Sequence, residues 1–214
     1  MNSRDVMLQR IRQAVASGVR QHQHPIQSAV YEQYDNLDEH RRIEQFAHRV
    51  EEYKAWVGQC DLHDVPSVIG QRMKYHGFRS LVLPVDFVHE WRPTDVTLIE
   101  DNQLTPFQVA SSDGVISTCA LGIAQTGTIV LDGGIGQGRR MLTLLPDYHC
   151  CVVLASLVVG TVPEAFARLE SVIHQRRAAM TFISGPSATS DIELNRVEGV
   201  HGPRTLEVII VRNA

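Results

Sequence analysis

Short, unbroken runs of apolar residues constrain the fold of this chain more than any other feature. The runs SLVLP (80–84), CCVVLASL (150–157) and LEVIIV (206–211) show little of the alternation of a half-exposed strand, so they predict strands buried on both faces. Helical patterns lie between them, including residues 65–76 and a helix that Pro163 opens at its favoured first position. Strands alternating with helices predict an α/β fold, with a mainly parallel sheet flanked by helices.

Weaker patterns complete this prediction. Amphipathic helices are expected at residues 3–15 and 37–57, a short helix at 85–91, and strands at 96–99, 115–124, 128–131 and 180–184. The inner face of the helix after Pro163 is predicted to carry Phe166, Leu169, Val172 and Ile173. Residues 18–36 lack a clear period, so we predict an N-terminal helix and linker at 1–36 and a single α/β domain at 37–214. The N-terminal helix either packs on its own domain or docks on a partner protein.

The composition excludes several classes of function. The 214 residues carry a net charge of -4 and have a pI near 6.2, which provides no overall basic field for binding nucleic acid. The longest apolar run, at 150–159, is shorter than the ~20 residues that a membrane-spanning helix needs. The N-terminus alternates charged with apolar residues, unlike a secretory signal. We therefore expect a cytoplasmic protein with no membrane span and no nucleic-acid partner.

The four cysteines predict reduced structural thiols. Cys60, Cys119, Cys150 and Cys151 include no C-x-x-C pair. Cys60 with His63, and His149 beside Cys150, would each be at most half of a zinc site. Cys150 and Cys151 are adjacent in a predicted strand, so their side chains are expected on opposite faces of the sheet. We predict neither a metal site nor an iron-sulfur cluster in this chain.

Three loops next to predicted strands are candidate ligand sites, because ligands of open parallel sheets bind beyond the carboxyl ends of the strands. The first, AQTGT (124–128), is also explained by a tight hairpin turn at Gly127. The second, DGGIGQGRRMLTLLP (132–146), can hold a phosphate or carboxylate through backbone N–H groups and the guanidinium of Arg139 or Arg140, or form a flexible solvent loop. Its spacing matches neither a P-loop nor a dinucleotide-binding motif.

The third candidate site joins SGPSATSDIE (184–193) with GVHGPR (199–204). Its hydroxyl groups and free N–H groups at a helix start are typical of an anion site, although Ser190 and Glu193 also fit a helix capping box. Asp191 and His201 can form an acid/base pair and Ser187 a nucleophile, but no G-x-S-x-G elbow supports a serine hydrolase. Because the capping box explains Ser190 and Glu193, a functional role is predicted mainly for residues 184–189, with Asp191 as a further candidate.

Four segments, taken in this order and spacing, resemble the lactate-utilisation protein C family, the LUD-domain proteins. They are AQTGTIVL (124–131), GRRMLTLLPDYH (138–149), FISGPSATSDIE (182–193) and GVHGPR (199–204). The resemblance implies a fold like that of sugar-phosphate isomerases and coenzyme A transferases. It also implies the cluster-free subunit of a multi-component system that oxidises L-lactate to pyruvate, with iron-sulfur clusters in partner proteins and no cofactor in this chain.

The resemblance further implies which residues form the site. The resemblance does not assign their individual roles; from side-chain acid/base chemistry, the candidate catalytic residues are Asp191, Glu193 and His201. Binding of a small anionic ligand falls to Thr126, Gly127, Thr128, Arg140, Ser184, Gly185, Ser187 and Thr189. Two positions depart from the family pattern. Ala188 stands where the family often has a longer basic side chain, and Gln125 stands where it often has an acidic one.

Two other functions remain open from the sequence. The first is a free-standing isomerase or acyl-transfer enzyme with Asp191 or Glu193 as base or nucleophile and Arg140 as an anion clamp. The second is a regulatory module that binds a small anion without catalysis. Fold alone cannot choose among these functions, because one fold serves many.

Overall fold

The helices and strands alternate along most of the chain, as the apolar runs predict. The computed structural model describes residues 3–18, 31–176, 179–189, 197–198 and 202–212. Within these ranges the α-helices are α1 (Ser3–Gly18), α2 (Glu39–Glu52), α3 (Val65–His76), α4 (Pro106–Ala110) and α5 (Val162–Arg176). The strands are β1 (Trp56–Asp61), β2 (Ser80–Leu83), β3 (Thr97–Glu100), β4 (Gly114–Thr118), β5 (Leu121–Ile123), β6 (Thr128–Leu131), β7 (Tyr148–Leu154), β8 (Val158–Val159), β9 (Thr181–Ile183), β10 (Ala188–Thr189), β11 (Val197–Glu198) and β12 (Thr205–Arg212).

A six-stranded, fully parallel sheet forms the centre of the fold, in the order β1-β12-β7-β4-β2-β3. The predicted α/β class with a mainly parallel sheet flanked by helices is therefore confirmed. The two longest apolar runs supply the neighbouring strands β7 and β12, whose side chains are almost all buried. Both faces of these strands are covered, which is why their sequences lack a polar side.

Separate apolar clusters lie on the two faces of this sheet. One face packs on α2 through Phe46 and Val50, with Cys151 from β7 in the same cluster. The other face packs on α3 through Ile69 and Met73, with Cys150 from β7. The adjacent cysteines thus point to opposite faces, as the strand period predicts.

A second, four-stranded sheet in the order β8-β5-β6-β9 was not predicted. In it β5 pairs antiparallel with β6, and β6 pairs antiparallel with β9. The single strand predicted at 115–124 was wrong, since the chain leaves one sheet after β4 and enters the other at β5. The mostly apolar run at 115–124 does not reveal this change, because both strands are buried.

Other differences concern the ends of elements. The helix predicted at 37–57 ends at Glu52, and Val57 belongs to β1, an edge strand of the main sheet. Residues 85–91 contain only a short 3-10 turn instead of an α-helix. Phe166 is exposed on α5 and stacks on Phe182, while Ala165 and Leu169 form the buried face.

The chain divides into two units, Met1–Glu32 and Gln33–Ala214. The first contains α1, which exposes its apolar residues Met7, Ile11 and Val15. The second contains both large sheets. None of the helices in the described ranges has both the length and the apolar character that a bilayer crossing requires.

The AQTGT segment forms the β5–β6 hairpin, where Gly127 takes a φ of 60°. A Cβ atom at this position would lie 2.6 Å from the carbonyl carbon of Arg49 and 2.7 Å from the backbone nitrogen of Val50, both in α2. Glycine is therefore required here for its conformation and also for the close approach of the hairpin to the helix.

Replacement of Gly127 by alanine is expected to lower the free energy of unfolding by more than about 2 kcal/mol, because a strained φ and a backbone clash add together. The matched control is Gly77→Ala, since Gly77 has a φ of 71° but open space around it. That variant should lose only about 1 kcal/mol. Urea unfolding of the two variants measures the difference, and equal losses would contradict the role of the clash.

Candidate functional site

A cavity of about 240 Å³ lies where three chain segments meet the main sheet. The segments are residues 140–144 before β7, the loop Ser184–Ala188 after β9, and Gly202 with Pro203 before β12. His149 and Leu206, the second residues of β7 and β12, form its floor as register partners. The cavity thus lies at the amino ends of β7 and β12, whereas the loop Ser184–Ala188 enters it from the carboxyl end of β9 in the smaller sheet. The expected position beyond the carboxyl ends of the parallel strands was therefore wrong, but the predicted loop after the strand at 180–184 does line the cavity.

Arg140 is the cationic group of the cavity. It begins a 3-10 turn, Arg140–Thr143, and its Nη1 atom donates a hydrogen bond of 3.0 Å to Thr143 Oγ1. Partial burial of the guanidinium lowers the pKa of Arg140, although the residue as a whole stays exposed. Among the described residues that line the cavity there is no carboxylate to neutralise this charge. The arrangement favours an anionic ligand.

Arg139, in contrast, is committed to the protein itself. Its Nε atom donates to Asp101 Oδ2 at 2.7 Å, and its Nη2 atom contacts the other oxygen of Asp101 and the carbonyl of Leu104. The two adjacent arginines of the second candidate loop therefore have different roles. Arg139 binds the loop to Asp101, which follows β3, and Arg140 lines the cavity.

The glycine-rich part of the loop is held by its own side chains. Gln137 Oε1 accepts hydrogen bonds from the backbone nitrogens of Asp132 and Gly133, at 2.7 and 3.1 Å. Asp132 Oδ1 accepts from Gly134 N at 2.9 Å and from Gln137 Nε2 at 2.8 Å. Asp132 and Gln137 are both buried. Because these three backbone nitrogens already have partners within the loop, they do not form a ready cradle for phosphate.

A chain of hydroxyl groups links the first and third candidate loops. Thr126 Oγ1 lies 2.7 Å from Thr128 Oγ1, which lies 2.7 Å from Ser184 Oγ. Either atom of each pair can be the donor. The chain ends at Ser184, which also lines the cavity. The structure therefore brings the predicted residues Thr126, Thr128 and Ser184 together.

The loop after β9 depends on two backbone features. Gly185 has a φ of 86°, and a Cβ atom there would lie 2.4 Å from Tyr53 Cβ. The backbone nitrogen of Ser187 donates to the carbonyl of Pro203 at 2.8 Å, which joins this loop to the segment before β12. Beyond Ser187 the chain forms β10, where Thr189 pairs with Val197 of β11.

The three predicted catalytic residues, Asp191, Glu193 and His201, lie outside the described residues, as does Ser190 of the predicted capping box. Their predicted roles stay predictions. Arg140, Ser184, Gly185 and Ser187 line the cavity, whereas Gly127 serves the hairpin. No group of three metal-ligating side chains occurs in the part of the chain that the structure describes.

His149 is a cavity residue that the sequence analysis missed. It is only 1% exposed, and its Nε2 atom lies 2.7 Å from Oγ of the fully buried Ser117 on β4. Burial, assisted by the charge of Arg140, lowers the pKa of His149 to about 4. The ring is therefore neutral at physiological pH. The available signal was its position in the GRRMLTLLPDYH segment, directly before an apolar strand.

This pKa predicts a pH-dependent stability. An unfolded histidine binds its proton near pH 6.5, whereas His149 in the fold binds it only near pH 4. Between these values the unfolded chain holds more protons, so the free energy of unfolding falls as the pH falls. His149→Gln should reduce the loss between pH 7 and pH 4.5 by about 2–3 kcal/mol, measured by urea unfolding. His40→Gln, at an exposed histidine, is the control. If the free energy of unfolding fell equally with pH in the wild type, His149→Gln and His40→Gln, the role of His149 would be contradicted.

A second buried polar cluster surrounds Glu207 of β12, on the sheet face opposite Cys151. Its carboxylate accepts hydrogen bonds from Arg72 Nε at 2.9 Å and Tyr148 Oη at 2.7 Å, and His76 Nε2 lies 2.7 Å away. Burial alone would raise the pKa of Glu207, but these hydrogen bonds lower it. The cluster contributes no residue to the cavity, and we interpret it as structural.

Fold and cavity together define an α/β protein with a parallel central sheet, a smaller mixed sheet, and a cavity whose described lining includes the guanidinium of Arg140 and the neutral ring of His149. Residues 88–211 match the profile of the LUD domain. The chain belongs to the LUD domain family, which confirms the resemblance seen in its sequence.

Several relatives are similar over different lengths. A "Lactate utilization protein C" from Deinococcus radiodurans is 38% identical over 170 residues, which are 79% of each chain. One from Bacillus pumilus is 43% identical over 84 residues, 38% of this chain and 35% of the relative, so this match spans about a third of the curated protein. The crystal structure of a DUF162 family protein from D. radiodurans superposes with a TM-score of 0.72 at 31% identity, covering 82% of this chain and 99% of the other.

Proposed function

We propose that this chain functions in lactate utilization, as a subunit without iron-sulfur clusters in a multi-component system that oxidises L-lactate to pyruvate. We further propose that the cavity at Arg140 binds a small carboxylate such as lactate or pyruvate. The proposal depends on one combined observation: the chain aligns with a relative named for lactate utilization, and the part that matches the family contains a cationic cavity. A relative named for lactate utilization aligns over 79% of the chain, and a cationic cavity lies inside the matched region.

The size and chemistry of the cavity support a small carboxylate. Its volume of about 240 Å³ is below the ≈ 300–1,000 Å³ that is typical of sites for drug-sized ligands. Arg140 provides the charge, and the hydroxyl groups of Thr143, Ser184 and Ser187 line the same space. Guanidinium and hydroxyl donors are the groups that hold carboxylates in proteins.

The placement of the cysteines supports a subunit without a cluster. Cys119 and Cys151 pack on one face of the main sheet, while Cys60 and Cys150 pack on the other. All four are buried. The sheet separates the two pairs, so the four sulfur atoms cannot ligate one cluster, which typically needs four thiolates.

Purification of a tagged chain from its own host, grown on L-lactate, tests the proposed role. We expect iron, acid-labile sulfide and L-lactate oxidation in the co-purified complex, and none of the three in the chain purified alone from a foreign host. If the isolated chain oxidised lactate or carried its own iron, the subunit role would be wrong. If the isolated chain bound lactate but co-purified with no other protein, a regulatory anion-binding module would be the better description.

A further inference from the structure

A groove of about 880 Å³ lies beside α3 and shares no described lining residue with the cavity at Arg140. One wall is a solvent-facing side of the helix. This side carries, at helical spacing, Ser67, Gly70, Gln71 and Lys74. The other wall is the loop at residues 93–96, directly before the edge strand β3. We call this space the α3 groove.

The dimensions of the α3 groove suit a short stretch of extended polypeptide. Its lining runs along the helix from Pro66 to Gly77, which is about 17 Å at the rise of an α-helix. An extended chain spans that length in about five residues. Phe78 and Val96, which are only partly buried, add apolar surface to the groove. A peptide segment can therefore make both polar and apolar contacts there.

Gly70 lines the groove in the middle of α3, where packing among the described residues gives no reason for a glycine. A Cβ atom at this position would meet no heavy atom within 4 Å outside its own part of the helix. Glycine inside a helix is less favourable than alanine, because it loses more backbone freedom on folding. The space that a side chain would fill belongs to the groove, so Gly70 leaves room for a chain that lies close against the helix.

Two cations of the groove have no counter-charge among the described residues. Lys74 and Arg79 both line it, and neither side chain forms an ion pair with a carboxylate in that part of the chain. The last carbonyl groups of α3 already accept hydrogen bonds from the backbone nitrogens of Gly77 and Phe78, so Lys74 is not needed to cap the helix. The two charges are therefore available to a partner.

The carboxylates near these cations are engaged elsewhere. Asp113 Oδ2 accepts hydrogen bonds from the backbone nitrogens of Arg79 and Ser80, at 2.8 Å each. Asp95, the carboxylate in the described lining of the groove, accepts from Thr94 Oγ1 at 3.3 Å. The groove thus presents positive charge on a chain whose net charge is -4.

We propose that the α3 groove binds an extended acidic segment of another subunit of the lactate-oxidising system. This inference rests on the proposed function and adds the chemistry of the partner and the surface that binds it. Charge complementarity favours this occupant, because the acidic surface elsewhere repels such a segment and the groove attracts it.

Co-purification of the tagged chain from its own host, grown on L-lactate, tests the inference in the complete complex. The double variant Lys74→Glu/Arg79→Glu should reduce the amount of the bound subunit about tenfold or more, because two attractive contacts become repulsive. Arg41→Glu, at an exposed arginine of α2, is the charge-reversal control and should retain the subunit. Gly70→Leu should reduce the bound subunit to a similar extent by filling the groove. It should also unfold at the same or a higher urea concentration than wild type, because it removes a glycine from a helix.

A photoreactive amino acid at position 71 identifies the occupant of the groove in otherwise wild-type protein. We expect crosslinks to a segment rich in Asp and Glu, in a subunit that co-purifies with lactate-oxidising activity. The same amino acid at position 40, an exposed site on α2, should not crosslink to that segment.

Three results would overturn the inference and leave the proposed function intact. They are full retention of the subunit by both groove variants, a crosslinked segment that is not acidic, and no crosslink from position 71. If no subunit co-purified with the wild-type chain, the proposed function would be wrong, and the inference with it.

Discussion

Replacement of Glu207 by alanine is expected to lower the free energy of unfolding by about 3–5 kcal/mol, the typical cost of removing one partner from a buried ion pair. Glu207 is 1% exposed, and its carboxylate accepts hydrogen bonds from Arg72 and Tyr148. It also lies 2.7 Å from Nε2 of His76. Without the carboxylate, the guanidinium of Arg72 stays partly buried between the rings of Trp56 and Tyr75 with no counter-charge. Urea unfolding at pH 7 measures the loss.

The control for this prediction is an exposed pair. Glu52 accepts a hydrogen bond of 2.8 Å from Arg49 on the surface of α2, so Glu52→Ala should change the free energy of unfolding much less than Glu207→Ala, because solvent screens an exposed pair. Glu207→Gln retains the shape of the side chain, so its loss in free energy of unfolding should lie between the losses of Glu207→Ala and Glu52→Ala. A loss in Glu207→Ala no greater than that in Glu52→Ala would show that the buried cluster does not stabilise the sheet.

Replacement of Arg140 by alanine is expected to weaken binding of L-lactate by about tenfold or more, the range for a hydrogen bond to a charged group. Arg140 is the cation that lines the cavity within the described residues, and its side chain contacts the protein through Thr143. Its removal should leave the fold intact, because the side chain is exposed and its hydrogen bond is to one hydroxyl group. Calorimetric titration measures the affinity.

Arg139→Ala is the matched control, because Arg139 is the adjacent arginine but is bound to Asp101 and Leu104. This variant should lose stability and keep its affinity for lactate, measured at a temperature where circular dichroism shows that it is folded. The reverse pattern, with binding lost in Arg139→Ala and kept in Arg140→Ala, would show that the other arginine holds the anion.

Much of the fold could be predicted from the sequence, because burial leaves a direct trace in it. The strands β7 and β12 are buried on both faces, and their apolar runs show this; α3 has bounds that its helical period predicts. The second sheet could not be predicted. Its strands are only two to four residues long, and the polar residues Ser117 and Thr118 do not by themselves show that the chain changes sheets between β4 and β5.

The candidate site was only partly predictable. Arg140 and Ser184 stand out as charge and hydroxyl groups in loops next to predicted strands, and both line the cavity. His149 does not stand out, since a histidine beside an apolar run has the same pattern whether it lines a cavity or fills a core. Its pairing with Ser117 joins residues 32 positions apart on neighbouring strands, and this pairing depends on the strand order of the sheet. A single sequence contains no local signal for that order.

Growth on L-lactate as the only carbon source shows whether this chain, through its Arg140 cavity, is needed for lactate utilization. The strains are a deletion of the gene for this chain, in a host without a second gene of the same family, and the same deletion complemented with wild type, Arg140→Ala or Arg139→Ala. We expect that the deletion does not grow, that wild type and a folded Arg139→Ala restore growth, and that Arg140→Ala at equal protein level does not. Growth of the deletion strain at the wild-type rate would contradict a role in lactate utilization, and full growth with Arg140→Ala would contradict the proposed site.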